Sequence, residues 1–299
     1  MGLDYRVYFH DVPSVLQFKE MRRKEARSKY RLMDKLFEDL QTGDMPEFSW
    51  IDPAYFTTMN QVANDQHPDH DVSEGETLIK EIYEALRASP IWEESVLLIT
   101  YDEHGGFFDH VPPTENVPNP DGLNATDDPF DFTRLGVRVP AVVVSPWVKK
   151  GSVFHAPPDD IQEDGYAAGQ YEHSSIVSTI IHKLFTPKEG FPAPEYLTKR
   201  DAWAKTFEWI FNTGNEKGQE RGPRKDCPLH TAEVFNERKA FPHISYAASD
   251  GSLPLSHLQK ELVLLMAGVS GDAAPGMDKW TEGEGGEYCL QKAKDFLMK

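Results

Sequence analysis

Residues 96–101 form an unbroken apolar run, Val96-Leu97-Leu98-Ile99-Thr100-Tyr101, that leads directly into Asp102-Glu103-His104-Gly105-Gly106. A run this short, rich in β-branched residues and followed by turn formers, predicts a strand buried on both sides. Residues 137–145 predict a second such strand, and residues 5–9 and 48–51 two shorter ones. Helical patterns lie between and after them. One covers residues 13–40, with a basic, solvated middle, and stops at Gly43. Another is opened by Ser73 with Glu76 as a capping box and stopped by Pro90. Others cover residues 171–185, 202–211, 256–267 and 287–298, the last two without an evident chemical group. Strands alternating with helices indicate an α/β architecture.

The chain has 299 residues, 39% of them hydrophobic, which is enough for one large α/β domain plus an appendage. Residues 212–228, rich in Gly, Lys, Arg and Glu, are the best linker candidate. They divide the chain into a main α/β domain over 1–225 and a mostly helical extension over 226–299. The formal charge of −18 argues against a nucleic-acid partner, because phosphate backbones demand clustered Lys and Arg. It also disfavours simple electrostatic adhesion to an anionic membrane, although a bound cation can reverse the local sign. No run is long enough to span a bilayer, which leaves peripheral membrane contact open. The amino terminus carries no recognisable address, and Cys227 and Cys289 are weak evidence for a disulfide. Neither compartment nor oligomeric state follows from these features.

Three constellations carry chemistry. Asp102 and Glu103 leave the end of a predicted strand, where ligands gather in open α/β sheets. Two adjacent carboxylates repel unless a proton or cation lies between them, and hard divalent cations take oxygen ligands. An acidic turn capping a helix explains the same residues. The loop Asn64-Asp65-Gln66-His67-Pro68-Asp69-His70-Asp71 is dense in groups that donate to phosphate oxygens or move protons near neutral pH. Part of its acidity also suits the amino terminus of the following helix. His173 opens a predicted helix, where an anion is favoured, although a lone histidine there is more often structural. His155 and His110 are further isolated candidates.

Read together, these segments resemble a phosphoesterase family that includes plant non-specific phospholipases C and certain bacterial phospholipases C and acid phosphatases. The matching stretches are N-D-Q-H-P-D-H-D-V at 64–72, I-T-Y-D-E-H-G-G-F-F-D-H-V-P at 99–112 and P-N-P-D-G at 118–122. R-L-G-V-R-V-P at 134–140, S-P-W at 145–147 and Y-E-H-S-S-I at 171–176 follow in order. The order and spacing look like the plant group in particular, and the resemblance runs over residues 8–228 and more faintly over 255–271.

The resemblance implies a three-layer α/β/α, alkaline-phosphatase-like sheet and hydrolysis of phosphoric esters at a site holding a divalent metal ion of open identity. Asp102 and Glu103 would be metal ligands, and His67 would contact the phosphate, with Asp65 orienting its loop. His104 would join them among the catalytic residues and His173 would face substrate. A phospholipid or another phosphoester would be the substrate. Family members also carry an upstream strand ending in Glu-Asn, in a segment like E-N-R-S-F-D-H, and then a hydroxyl nucleophile. Nothing here matches them, since the one Glu-Asn, Glu115-Asn116, lies in a Pro-rich loop. The expectation is therefore an incomplete sheet, lacking its amino-terminal part, with half the metal ligands and the nucleophile elsewhere. That departure puts the activity of the isolated chain in question. A phosphomonoesterase of the acid-phosphatase kind and a catalytically silent, truncated binding module are the competing readings.

Overall fold

A computed structural model of the protein describes residues 1–68, 70–126, 129–155, 166–211, 222–228 and 250–298. The chain forms two compact units, residues 4–92 with 228–299 (the sheet unit) and residues 1–3 with 93–227 (the strand-end unit). Residues 4–92 group with the carboxyl-terminal segment, and the chain is cut between the units after residues 3, 92 and 227. Most of the expected linker, residues 212–221, lies outside the described residues.

In the sheet unit, β1 (Tyr5–Phe9) is the centre of a three-stranded parallel sheet in the order β2-β1-β3. Val7 pairs with Tyr30 of β2 (Tyr30–Leu32) on one edge and with Trp50 of β3 (Phe48–Ile51) on the other. The single helix expected over residues 13–40 does not form. Two 3₁₀ turns, Ser14–Gln17 and Lys19–Arg22, and a short helix α1 (Lys24–Arg27) lead into β2 instead. The cause is tertiary. The free edge of β1 takes residues 30–32 as a strand, which satisfies its backbone groups and buries Tyr30 against Phe9 and Phe296, with ring centroids 6.4 and 6.3 Å away.

Helix α2 (Met33–Thr42) follows and ends, as the sequence indicates, at Gly43, whose φ of 79° is the left-handed conformation glycine adopts without strain. Its buried Asp39 accepts hydrogen bonds from Arg6 Nη1 and Tyr8 Oη of β1, both at 2.8 Å. Helix α3 (Val72–Ala88) starts two residues earlier than a Ser73 cap would place it. Asp71 is the N-cap and accepts from the Ser73 N–H at 2.9 Å, a carboxylate at the positive end of the helix.

Helices α6 (His257–Ser270) and α7 (Glu282–Met298) complete the core. Val263, Met266 and Cys289 pack with Val7, Phe9 and Phe56, all of them fully buried. Neither Cys227 nor Cys289 forms a disulfide among the described residues. Helix α7 begins at Glu282 rather than at residue 287, although Glu282-Gly283-Glu284-Gly285-Gly286 is poor in helix formers. Packing outweighs propensity here. A Cβ at Gly286 would lie 2.7 Å from Phe56 Cβ, so only glycine lets α7 approach that ring.

In the strand-end unit, β4 (Leu97–Thr100) pairs antiparallel with β5 (Ala141–Val144), Leu97 opposite Val144 and Thr100 opposite Ala141. Neither strand is doubly buried, contrary to the apolar-run reading. Leu97 to Ile99 are half-buried, and Val142 is 51% exposed. Double burial requires neighbours on both edges and a layer on each face, and among the described residues β4 has one strand partner. Helix α4 (His173–Thr179) runs into a π turn over Ile180–Leu184.

The helix expected over 202–211 is displaced. Helix α5 (Lys199–Trp203) is opened by the Thr198–Asp201 capping box, and a separate 3₁₀ turn covers Glu208–Phe211. The chain between them is pulled out of helix because Lys205 N–H donates to the Gln170 carbonyl and Phe207 N–H to Thr179 Oγ1, each at 3.1 Å. The protein is thus mixed α/β with a parallel sheet and flanking helices. No helix among the described residues is long and apolar enough to cross a membrane.

Candidate functional site

In the strand-end unit, β4 delivers Asp102 and Glu103 to its carboxyl end as exposed side chains on consecutive bends. The backbone then reverses through Gly105 and Gly106, at φ 65° and 72°, a left-handed pair that side-chain-bearing residues would strain. Gly105 N–H donates to Glu103 Oε2 at 2.7 Å, fixing that carboxylate over the turn. His104 Nδ1 lies 2.9 Å from the Phe107 carbonyl, so Nδ1 carries the proton and, in the neutral ring, Nε2 keeps its lone pair. His173, on the first residue of α4, places Nε2 2.8 Å from the Tyr101 carbonyl, which docks it beside the strand end that bears Asp102.

Beyond the turn, Asp109 accepts from Arg138 Nε and Nη2 at 2.7 and 2.9 Å. This forked pairing holds its carboxyl well below the usual carboxylate range and ties the 107–111 loop down. The 118–122 motif is an Asn-centred turn, Asn119 Oδ1 accepting from the N–H groups of Asp121 and Gly122.

The donor set suits a hard cation, since both carboxylates are exposed and share a turn. Among the described residues no three His, Cys, Asp or Glu side chains gather as a metal-holding group. Asp102 and Glu103 therefore fit part of a coordination shell, because a hard divalent ion takes six or more ligands.

The sheet unit holds the other predicted pair, and it builds around a residue outside the predicted set. His70 stands between two carboxylates, with Nδ1 2.5 Å from Asp65 Oδ1 and Nε2 3.2 Å from Glu282 Oε1. Their side chains are 10%, 3% and 3% exposed for His70, Asp65 and Glu282. Glu282 Oε1 also accepts from the Thr57 N–H at 2.6 Å and from Gln259 Nε2 at 3.1 Å. Gln259 in turn donates to the Tyr55 carbonyl at 2.9 Å. His67 lies beside His70, ring centroids 6.5 Å apart, and its carbonyl accepts from the His70 N–H at 2.7 Å. Asp69 lies outside the described residues.

Gly75 of α3 supports the same loop. A Cβ there would fall 2.9 Å from the Asn64 carbonyl and 2.2 Å from Gln66 Cγ. His70 was visible in the sequence as part of the loop. Gln259 and Glu282 gave no signal, because a glutamine on an amphipathic helix and a glutamate among glycines read as solvated surface.

Three buried groups of the sheet unit bind protons more tightly than in an unfolded chain. Burial pushes Asp52 up to about 6, against hydrogen bonds from Ser14 and Trp50 that lower it. Burial likewise pushes Asp11 up to about 7 despite the Val12, Phe56 and Tyr55 N–H groups, with Asp65 adding like charge. For His70, burial opposes protonation, yet the hydrogen bonds and charges of Asp65 and Glu282 outweigh it and lift the ring to about 10.

All three folded-state values lie above their unfolded ones, so each contribution is complete below the unfolded pKa and is lost as pH rises through the folded one. Asp4, held low by Lys29, acts in the opposite sense but only on the acid side of its ordinary range. His10 also acts in the opposite sense, because burial holds its ring below the usual imidazole range, and it offsets part of the fall below pH 6.5. The melting temperature is therefore expected to fall from about pH 7 to pH 10, where His70 alone of these groups titrates. Asp52→Asn and Asp11→Asn should remove their share of the change below that interval. A melting temperature that rises with pH from about pH 7 to pH 10 would contradict the assignment.

The Phosphoesterase family profile matches residues 3–186. The chain is 41% identical over 304 residues to the non-specific phospholipase C1 of Arabidopsis thaliana, covering 99% of this chain and 53% of that protein. It is 42% identical to non-specific phospholipase C6 of the same organism, covering 99% and 52%. It is 28% identical over 200 residues to the non-hemolytic phospholipase C of Burkholderia pseudomallei, 62% and 26% of the respective lengths. The chain thus spans about half the length of the plant relatives it matches. The strand-end carboxylates, the His67 loop and His173 all fall inside the matched span, and on that match the chain belongs to the Phosphoesterase family.

Proposed function

We propose that this chain carries the carboxylate half of a phospholipase C-like site, which hydrolyses a phospholipid to diacylglycerol and a phosphorylated head group. The observation that supports the reading is the end of β4, where Asp102 and Glu103 leave the strand, His104 turns back onto the Phe107 carbonyl and His173 docks on the Tyr101 carbonyl, within the span matched by the family. Asp102 and Glu103 would hold a divalent cation, which when bound supplies positive charge against the phosphoryl oxygens. His173, with Nε2 committed to the Tyr101 carbonyl, is oriented to present Nδ1. His104 Nε2 is oriented the same way by the Phe107 carbonyl and can accept or return a proton. His67, half-buried in the sheet unit, would donate to a phosphate oxygen.

In this reading the hydroxyl that attacks phosphorus lies outside residues 1–299. The parallel sheet belongs to an alkaline-phosphatase-like layered domain, completed by sequence equivalent to the relatives' other half.

The test is hydrolysis of phosphatidylcholine vesicles and of a chromogenic phosphomonoester across divalent metals. The assay is run with this chain alone and with the chain extended by that other half. Metal-dependent release of phosphocholine by the extended form is the expected result. Preference for the monoester would turn the assignment to an acid-phosphatase-type enzyme. Inactivity of both forms would leave a silent binding module as the better account.

A further inference from the structure

The histidine in the middle of the sheet-unit network cannot be neutral with its present neighbours ionised. Both ring nitrogens of His70 face carboxylate oxygens, Asp65 Oδ1 at 2.5 Å and Glu282 Oε1 at 3.2 Å, and a carboxylate only accepts. Each nitrogen must then carry a proton. Asp65 Oδ2 is itself buried without a hydrogen-bond partner among the described residues, so the pairing of this carboxylate with His70 is made through Oδ1. The remaining groups facing the ring are Gln259 of α6, whose Nε2 is 3.4 Å from His70 Nε2, and His67 of the same loop. Asp11, after β1, adds negative charge near Asp65.

The backbone completes the chain of contacts. The His70 N–H closes the turn onto the His67 carbonyl at 2.7 Å, so whatever immobilises His70 also fixes the residue that would meet phosphate. Glu282 is well placed to do so. It is 212 positions away in sequence and rests on the first turn of a helix packed into the core. Its Oε1 is anchored independently by Thr57 N–H and Gln259.

We propose that Glu282 is a positioning residue for the His67 loop: it holds His70 as an imidazolium against Asp65 and thereby sets the turn that presents His67. The carboxyl-terminal helix is in this sense part of the site's construction rather than an appendage. The catalytic meaning of that placement rests on the phosphoesterase reading; the placement itself does not.

The decisive experiment is two-dimensional ¹H–¹⁵N spectroscopy of the imidazole nitrogens in the full chain, comparing the parent with Glu282→Gln and Glu282→Asp. Glutamine keeps an acceptor for Thr57 and the shape of the side chain while removing the charge. In the parent, both His70 nitrogens are expected to stay protonated at pH 8. In Glu282→Gln the acid dissociation constant of His70 should rise at least tenfold, and the ring and amide signals of His67 should shift or broaden. Glu282→Asp should restore the His70 titration in large part.

Unmoved His67 signals in a folded Glu282→Gln protein would overturn the inference, whether or not the chain hydrolyses anything. A neutral His70 in the parent at pH 7 would overturn it equally. Displaced His67 signals, in a protein whose parent hydrolyses no phosphoester in any form, would support the placement and sink the phosphoesterase reading alone.

Discussion

Asp102→Ala is expected to lower phosphoester turnover at least about a hundredfold and to abolish saturable divalent-cation binding, in whichever form of the protein first shows hydrolysis. The size follows from where the residue sits. Asp102 is the first side chain beyond the β4–Tyr101 run, exposed at the strand end where His173 is docked. Its neighbour cannot easily replace it, because Glu103 already spends Oε2 on the Gly105 N–H. Removing a group that stabilises charge developing on phosphoryl oxygens costs on the order of 3–4 kcal/mol of barrier, or about two to three decades in rate. Asp109→Asn is the useful comparison. Its carboxylate lies in the same loop but is committed to Arg138, so turnover should fall through loop mobility, with cation binding retained. Steady-state kinetics and calorimetric titration with the metal separate the two. Equal turnover in Asp102→Ala and its parent would remove the strand-end carboxylates from the site.

The second large effect concerns stability. Gly286→Val should destabilise the sheet unit by about 2–4 kcal/mol, read as a shift of the denaturant midpoint. A Cβ at this position meets Phe56 Cβ at 2.7 Å and Thr58 Cγ2 at 2.8 Å, both close to backbone and unable to swing aside. Branching at Cβ enlarges the conflict, so either α7 lifts away from Phe56 or the 54–58 segment moves. Both responses disturb Thr57, whose N–H anchors Glu282. Gly268→Ala in α6 is the control. That position is helical and open, and a methyl group there would meet nothing within 4 Å. Alanine there should be neutral or stabilising by up to about 1 kcal/mol through helix propensity alone. Parity between the two variants would show that α7 is not held against Phe56.

Much of the local structure was legible because it rests on short-range rules. The period of the apolar residues marks β1, β3, α3 and α6, and a left-handed glycine ends α2 at Gly43 as the sequence indicates. The errors share one origin. Residues 30–32 lie in a stretch of helix formers, yet they become a strand because β1 offers a free edge and Phe9 and Phe296 offer a place for Tyr30. Glu282-Gly283-Glu284-Gly285-Gly286 lacks helix propensity, yet it is helical because only glycines permit the approach to Phe56 and Leu255. In both cases a contact remote in sequence outweighs a local preference worth about 1 kcal/mol or less per residue.

For the candidate site the division is the same. That Asp102 and Glu103 leave the end of a strand and turn on two glycines follows from local sequence, since apolar runs and glycine pairs encode that geometry. Local sequence also marks the His67 loop as chemically loaded. Long-range packing sets the place of His70 between Asp65 and Glu282 and of His173 on the Tyr101 carbonyl. Those contacts span 212 and 72 positions, and no local period records them. The first exists because packed helices bring buried charges within hydrogen-bonding distance, where an unpaired charge would cost more than the fold can spare, and the second because the start of α4 packs beside the exposed end of β4.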